Sequence, residues 1–336
     1  MKPDYALLAE AYSAVKAAAH RRELDPEACH EFDKAWPILS DAQAAAKAFA
    51  PTLRCMEQSG VTIASSRVLE LGHGGAALPI SLVFCGATEC VALRSTPAKL
   101  GALRAFARML PYGLAERLRV VEGWDEATPG GQAFDIVFCN GLLSQPAGRE
   151  LLPRLRGVLA PKGCLLISEE HNARNPLLRY KLHNLYRWRE EGPPGRRWGE
   201  VIEKTYRQLR AEIVARSFGT RLSRHEAHLL AERTSGLHGE TLLEACERYI
   251  KKGEPPQSFY VPDTAPVDPT TGATWEQLTD PVELRRRLQR EGYRRCKIHP
   301  CLPGASRFAA MQWLERALPL WLKLPLSATF MISAFP

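Results

Sequence analysis

Residues 67–84, RVLELGHGGAALPISLVF, decide how the rest of the chain is read. Val68, Leu69 and Leu71 make a short apolar run, Gly72, Gly74 and Gly75 interrupt it, and Leu78 to Phe84 resume it as a helix. A strand that ends in a glycine turn and opens a helix lets bare backbone approach a ligand that a Cβ would exclude. The helix N-terminus then favours anionic groups. Working outward, apolar runs recur at 89–94 (ECVALR), 118–123 (LRVVEG), 134–140 (FDIVFCN) and 163–170 (GCLLISEE), with amphipathic stretches between them. Runs of this kind alternating with helical patterns predict βα units and a buried parallel sheet. Strands at 296–299 and 327–333 are expected to complete it.

The flanks read differently. Residues 1–60 carry helical spacing and predict an N-terminal cap of two or three helices separated at Pro37 and Pro51, ahead of a nucleotide-binding core at 61–171. After His171 the alternation stops. Residues 172–290 read as a mainly helical insertion, a substrate lid, with an irregular Pro- and Thr-rich stretch at 253–281 and a basic helix after Asp280. Residues 291–336 hold the closing strands. Within them, the apolar stretch from Leu318 to Phe335 is interrupted by Pro319, Lys323 and Pro325, so buried core is expected rather than a membrane span.

Composition narrows the class. With 336 residues, 45% hydrophobic and 24% charged, the chain is globular, and disorder, collagen and coiled coil are excluded. Several of the nine cysteines lie in apolar runs, and the N-terminus lacks a secretory h-region, so reduced thiols and a cytoplasmic location are expected. Residues 171–300 hold 24 Lys and Arg against 17 Asp and Glu, nearly all of the net +8. Either an anionic partner or a solvated helical surface accounts for that. Metal sites are discounted: His225 and His228 are three apart rather than four, and Cys296, His299 and Cys301 lack a fourth ligand. No P-loop or nucleophile elbow occurs.

Taken together, the motifs resemble the class I S-adenosylmethionine-dependent methyltransferases, whose first motif is an acidic residue, any residue, then Gly-x-Gly. Glu70-Leu71-Gly72-His73-Gly74 matches it, and the similarity continues to residue 171. The resemblance implies a Rossmann-like, mostly parallel seven-stranded α/β sheet with an antiparallel ending. S-adenosylmethionine would be the cofactor and S-adenosylhomocysteine the product. Gly72, His73 and Gly74 would underlie the methionine part of the cofactor, and Glu70 would organise the loop or meet the amino group. Asn140 and Gly141 would contact the methionine carboxylate or amine, and Trp124 and Asp125 the adenine. The family's acid at the end of the second strand, which accepts both ribose hydroxyls, is replaced here by Arg94, with Ser95 after it.

The activity this implies is transfer of a methyl group to a small organic acceptor, anionic groups included, with oxygen favoured over nitrogen or carbon because His171 can serve as general base. Glu170 is the second catalytic candidate. Arg174, Asn175, Tyr180 and Trp188 are candidate substrate contacts. Nucleic acid is a lesser alternative as acceptor, and a homodimer is compatible with the reading. Two other classes remain at this point. Gly72-x-Gly74-x-x-Ala77 followed by Arg94 also fits an NADPH-binding oxidoreductase, and Arg94 also fits a degenerate methyltransferase fold that binds a partner without catalysis.

Overall fold

A computed structural model describes residues 9, 41–72, 77–94, 97–110, 113–131, 133–143, 146–262, 264–302, 313 and 317–336. Most of the expected N-terminal cap, and His73, Gly74 and Ser95, lie outside the described residues. The chain forms two compact units, one of Met1–Asn175 with Thr279–Pro336 and one of Pro176–Leu278.

The first unit is built on a seven-stranded sheet. Its strands are β1 (Arg67–Gly72), β2 (Glu89–Leu93), β3 (Leu118–Val121), β4 (Phe134–Asn140), β5 (Leu159–Glu169), β8 (Arg295–Cys301) and β9 (Thr329–Phe335). Their spatial order is β3-β2-β1-β4-β5-β9-β8. The first five are parallel, and β9 lies antiparallel between β5 and β8. The central strands are apolar on both faces because both are covered. One face packs under α1 (Ala42–Ser59), α2 (Ala77–Phe84) and α3 (Pro97–Met109), with Phe49, Ile80, Phe106, Phe138 and Met331 in its core. The other packs under α5 (Pro146–Leu155) and α10 (Pro281–Arg290), around Val137, Leu152, Leu284, Leu288 and Ile332. Trp124 of the short helix α4 (Trp124–Ala127) joins that second layer.

Four differences from the sequence reading have physical causes. Pro51 does not separate two helices but sits inside α1, where burial of Ala45, Phe49, Cys55 and Met56 offsets the backbone hydrogen bond a proline cannot make. Strand β5 starts at Leu159, ahead of the apolar run at 163–170, and takes in Pro161 and Lys162 where the β4–β5 register shifts. Helix α10, grouped with the insertion at first reading, belongs to the sheet-bearing unit, since Leu284 and Leu288 bury in its core. Finally, 318–335 is not uniformly buried. Strand β9 is, but α11 (Leu320–Leu326) exposes Trp321 and Leu326 and buries Leu324.

The second unit comprises α6 (Pro176–Glu191), the hairpin β6 (Gly195–Arg197) with β7 (Glu200–Ile202), then α7 (Tyr206–Phe218), α8 (Arg224–Glu232) and α9 (Gly239–Lys252). Capping boxes at Thr205–Gln208 and Ser223–Glu226 start α7 and α8, satisfying the orphan N–H groups of the first turn. One core gathers Leu185, Tyr186, Trp188 and Ile202, and another Val214, Phe218, Leu230 and Leu242. No helix among the described residues is long and apolar enough to cross a membrane.

Candidate functional site

The parallel register sets Gly72 opposite Asn140 at the C-terminal ends of β1 and β4. A Cβ at Gly72 would lie 2.6 Å from the Asn140 carbonyl oxygen, so only glycine lets the two strand ends close. On the other side of β1, Glu70 pairs with Ala92, which brings Arg94, two residues further along β2, onto the same face as Glu70. Arg94 Nη1 donates to Glu70 Oε2 at 2.5 Å and to the Leu93 carbonyl at 2.8 Å. Both side chains are fully enclosed, at 1% and 0% exposure.

Burial pushes the Glu70 carboxyl up from the usual carboxylate range, and the neighbouring guanidinium pulls against that shift. The second carboxylate oxygen, Oε1, is buried with no hydrogen-bond partner among the described residues. It lies 3.2 Å from the place a Gly72 Cβ would occupy. An ionised oxygen enclosed in this way is costly unless a donor reaches it.

At the same carboxyl edge of the sheet, a cavity of about 350 Å³ opens at the ends of β4 and β5, with Asn140 in its wall. Asn140, Ser168 and its β9 neighbour Met331 line it from the sheet, with Glu170 just past β5 and Phe49 and Thr52 of α1. In open α/β sheets, ligands bind at this carboxyl edge.

The sequence-predicted residues divide accordingly. Glu70, Gly72, Arg94 and Asn140 come together, and Glu170 joins Asn140 at the cavity wall. Gly141 follows at a φ of 62° and donates its N–H to the Ser168 carbonyl. Trp124 is half-buried against the layer that includes Leu93, and Asp125 is exposed. His171 is half-buried beyond the end of β5, outside the cavity lining, where its carbonyl accepts from Thr279 N–H.

Among the substrate candidates, Arg174 is ion-paired with Asp280 at 2.8 Å, and Asn175 is buried and donates its N–H to the Asn172 carbonyl. In the second unit Tyr180 is exposed. Trp188 is instead a core residue, 2% exposed, whose indole N–H donates to the Pro193 carbonyl, so its ring is occupied by packing.

Sequence reasoning passed over Ser168, Met331 and Thr52. The switch from apolar to polar residues after Ile167 in LISEE was the signal for Ser168. Nothing local marks the other two, which arrive from distant elements.

The strand order, with an antiparallel β9 inserted between β5 and β8, is that of the class I methyltransferase fold. No protein-family description matches the sequence, and no curated protein matches it. Among solved structures, the chain is similar to an S-adenosylmethionine-dependent methyltransferase from Mesorhizobium loti, at 14% identity, 86% of this chain, 99% of that one and a TM-score of 0.42. It is similar to the glycopeptide N-methyltransferase MtfA complexed with S-adenosyl-L-homocysteine, at 15% identity, 85% and 89% coverage and a TM-score of 0.43. It is also similar to the CcbJ methyltransferase from Streptomyces caelestis, at 14% identity, 86% and 94% coverage and a TM-score of 0.44.

Proposed function

We propose that the chain is a class I S-adenosylmethionine-dependent methyltransferase acting on a small organic acceptor. The observation that supports this most is Glu70 Oε1, a buried carboxylate oxygen with no hydrogen-bond partner among the described residues, 3.2 Å from where a Cβ of Gly72 would sit at the end of β1. The ammonium of an amino-acid-bearing cofactor is the donor it lacks. In this reading Gly72 and Asn140 bound the methionine end, with Glu70 behind them. Trp124 stacks on the adenine and Asp125 takes its exocyclic amine.

The cofactor supplies an electrophilic methyl group on a sulfonium. The protein has to align the acceptor with it, keep water out and take a proton from the acceptor. Glu170 is the proton acceptor here, because it lines the cavity and His171 does not. The preference for oxygen over nitrogen rested on an imidazole base and is dropped with it. The acceptor group is therefore a hydroxyl or an amine.

The oxidoreductase alternative is weakened on two counts. Arg94 is enclosed and directed at Glu70 rather than toward a 2′-phosphate, and β9 runs antiparallel where a dinucleotide-binding sheet continues parallel.

Calorimetric titration with S-adenosylmethionine, S-adenosylhomocysteine and NADPH tests the reading. Micromolar binding of the first two and none of the third is expected. Binding of NADPH alone overturns it, and no binding of any of the three favours the non-catalytic fold. With a turned-over acceptor in hand, Glu170→Gln should depress kcat while leaving S-adenosylhomocysteine affinity unchanged.

A further inference from the structure

A second and larger cavity, about 690 Å³, runs along edge strand β8 between α1, α10 and α11. Four cations from four different elements line it: Arg54 of α1, Arg285 of α10, Lys297 of β8 and Lys323 of α11. Glu57, exposed to solvent, is the acid in its wall. Like charges gathered at one concavity raise the energy of the empty site and the affinity for an anion together.

The neighbouring acid of α10 does not relieve this, since Glu283 is engaged by Arg286 and Arg290. Arg285 takes part in no ion pair among the described residues, and its buried Nε has no hydrogen-bond partner there. The charge is also local: residues 280–297 carry seven Lys and Arg against three Asp and Glu. That stretch carries +4 of the +7 found over residues 171–300, and two of its cations, Arg285 and Lys297, line the cavity.

The volume suits a small ligand rather than a single ion. Two residues, Pro51 and Cys301, line both this cavity and the one at the ends of β4 and β5. The two cavities thus share part of a wall, and a molecule that spanned it would have its nucleophile beside Glu170 and its far end among the cations. We propose that the methyl acceptor carries a phosphate group, held by Arg285, Lys297, Lys323 and Arg54. This assignment rests on the methyl-transfer reading of the first cavity. Lysines recognise phosphate as point charges, and the arginines add directed donors.

The test is calorimetry on the full chain with inorganic pyrophosphate as the probe, with and without S-adenosylhomocysteine. The comparison variant is Arg285→Gln combined with Lys323→Gln, which keeps polarity and size and removes two charges. Wild type should bind pyrophosphate, and the double variant at least tenfold more weakly, with S-adenosylhomocysteine affinity unchanged as proof of folding. A more conservative variant, Arg285→Lys alone, should retain most of the binding. No binding by wild type, or equal binding by the double variant, overturns the anion site. Pyrophosphate binding without S-adenosylhomocysteine binding overturns the methyl-transfer reading and the acceptor assignment with it.

Discussion

Each of the two units buries a carboxylate against a guanidinium, and the two pairs are finished differently. In the second unit Arg210 meets Glu190 through both terminal nitrogens, Nη2 to Oε1 and Nη1 to Oε2, and its Nε donates to the Ala231 carbonyl at 2.9 Å. Both carboxylate oxygens are satisfied. In the sheet-bearing unit Arg94 meets a single oxygen of Glu70, and the other has no hydrogen-bond partner among the described residues. A closed pair is what a fold needs from buried charge. A half-closed pair carries a desolvation penalty that folding alone does not require, and under the proposed function a donor on the cofactor would relieve it.

The comparison is broken most directly at the closed pair. Arg210→Met strands Glu190 in the core and should cost about 3–5 kcal/mol in urea unfolding. A loss below about 1 kcal/mol would show that the pair does not hold its unit together.

Next in size is a neutral buried group with partners on both sides. His299 Nδ1 faces Gln58 Oε1 at 3.1 Å and its Nε2 faces Ser333 Oγ at 3.0 Å. Burial lowers its pKa from 6.5 to about 4, so the folded protein holds it neutral where the unfolded chain is protonated. Stability from this group is complete above pH 6.5 and falls as pH drops toward 4, by about 3 kcal/mol at ~1.4 kcal/mol per pKa unit. Urea midpoints at neutral and acidic pH should differ less in His299→Gln by that amount.

The open pair is probed by binding rather than stability. Glu70→Gln keeps the shape, loses the charge and should weaken S-adenosylhomocysteine roughly tenfold. Because burial raises the Glu70 pKa, binding should also fade as pH drops, when the carboxylate gains a proton. Removing the opposing guanidinium in Arg94→Met should move that fade to higher pH, which a titration series from pH 5 to 8 would register. The smallest effect belongs to an exposed pair. Lys251 and Glu247, 3.1 Å apart on α9, should yield under about 0.5 kcal/mol on Lys251→Ala.

What the sequence disclosed follows from the same distinction between local and distant information. The central parallel strands were legible because burial on both faces writes largely apolar runs into the chain, and Gly72 because a strand followed by glycines has few other uses. Arg94 was visible as a departure, but its bond to Glu70 depends on the β1–β2 register, which no local pattern encodes. Likewise, which of the two candidate bases lines the cavity, Glu170 rather than His171, was hidden because its walls come from α1, β4 and β9 at once. The basic helix α10 was seen, yet its place under the sheet follows from Leu284 and Leu288 meeting residues more than a hundred positions earlier.

The strand order also dictates a timetable. Strand β9, made last of the seven, lies inside the sheet between β5 and β8 rather than at its rim. A chain emerging from the ribosome therefore carries β5 with a bare edge through the whole synthesis of Pro176–Leu278. That unit can fold while its host waits for its last pieces. For this interval the open edge of β5, with Leu165, Leu166 and Ile167, is the stretch most in need of a chaperone.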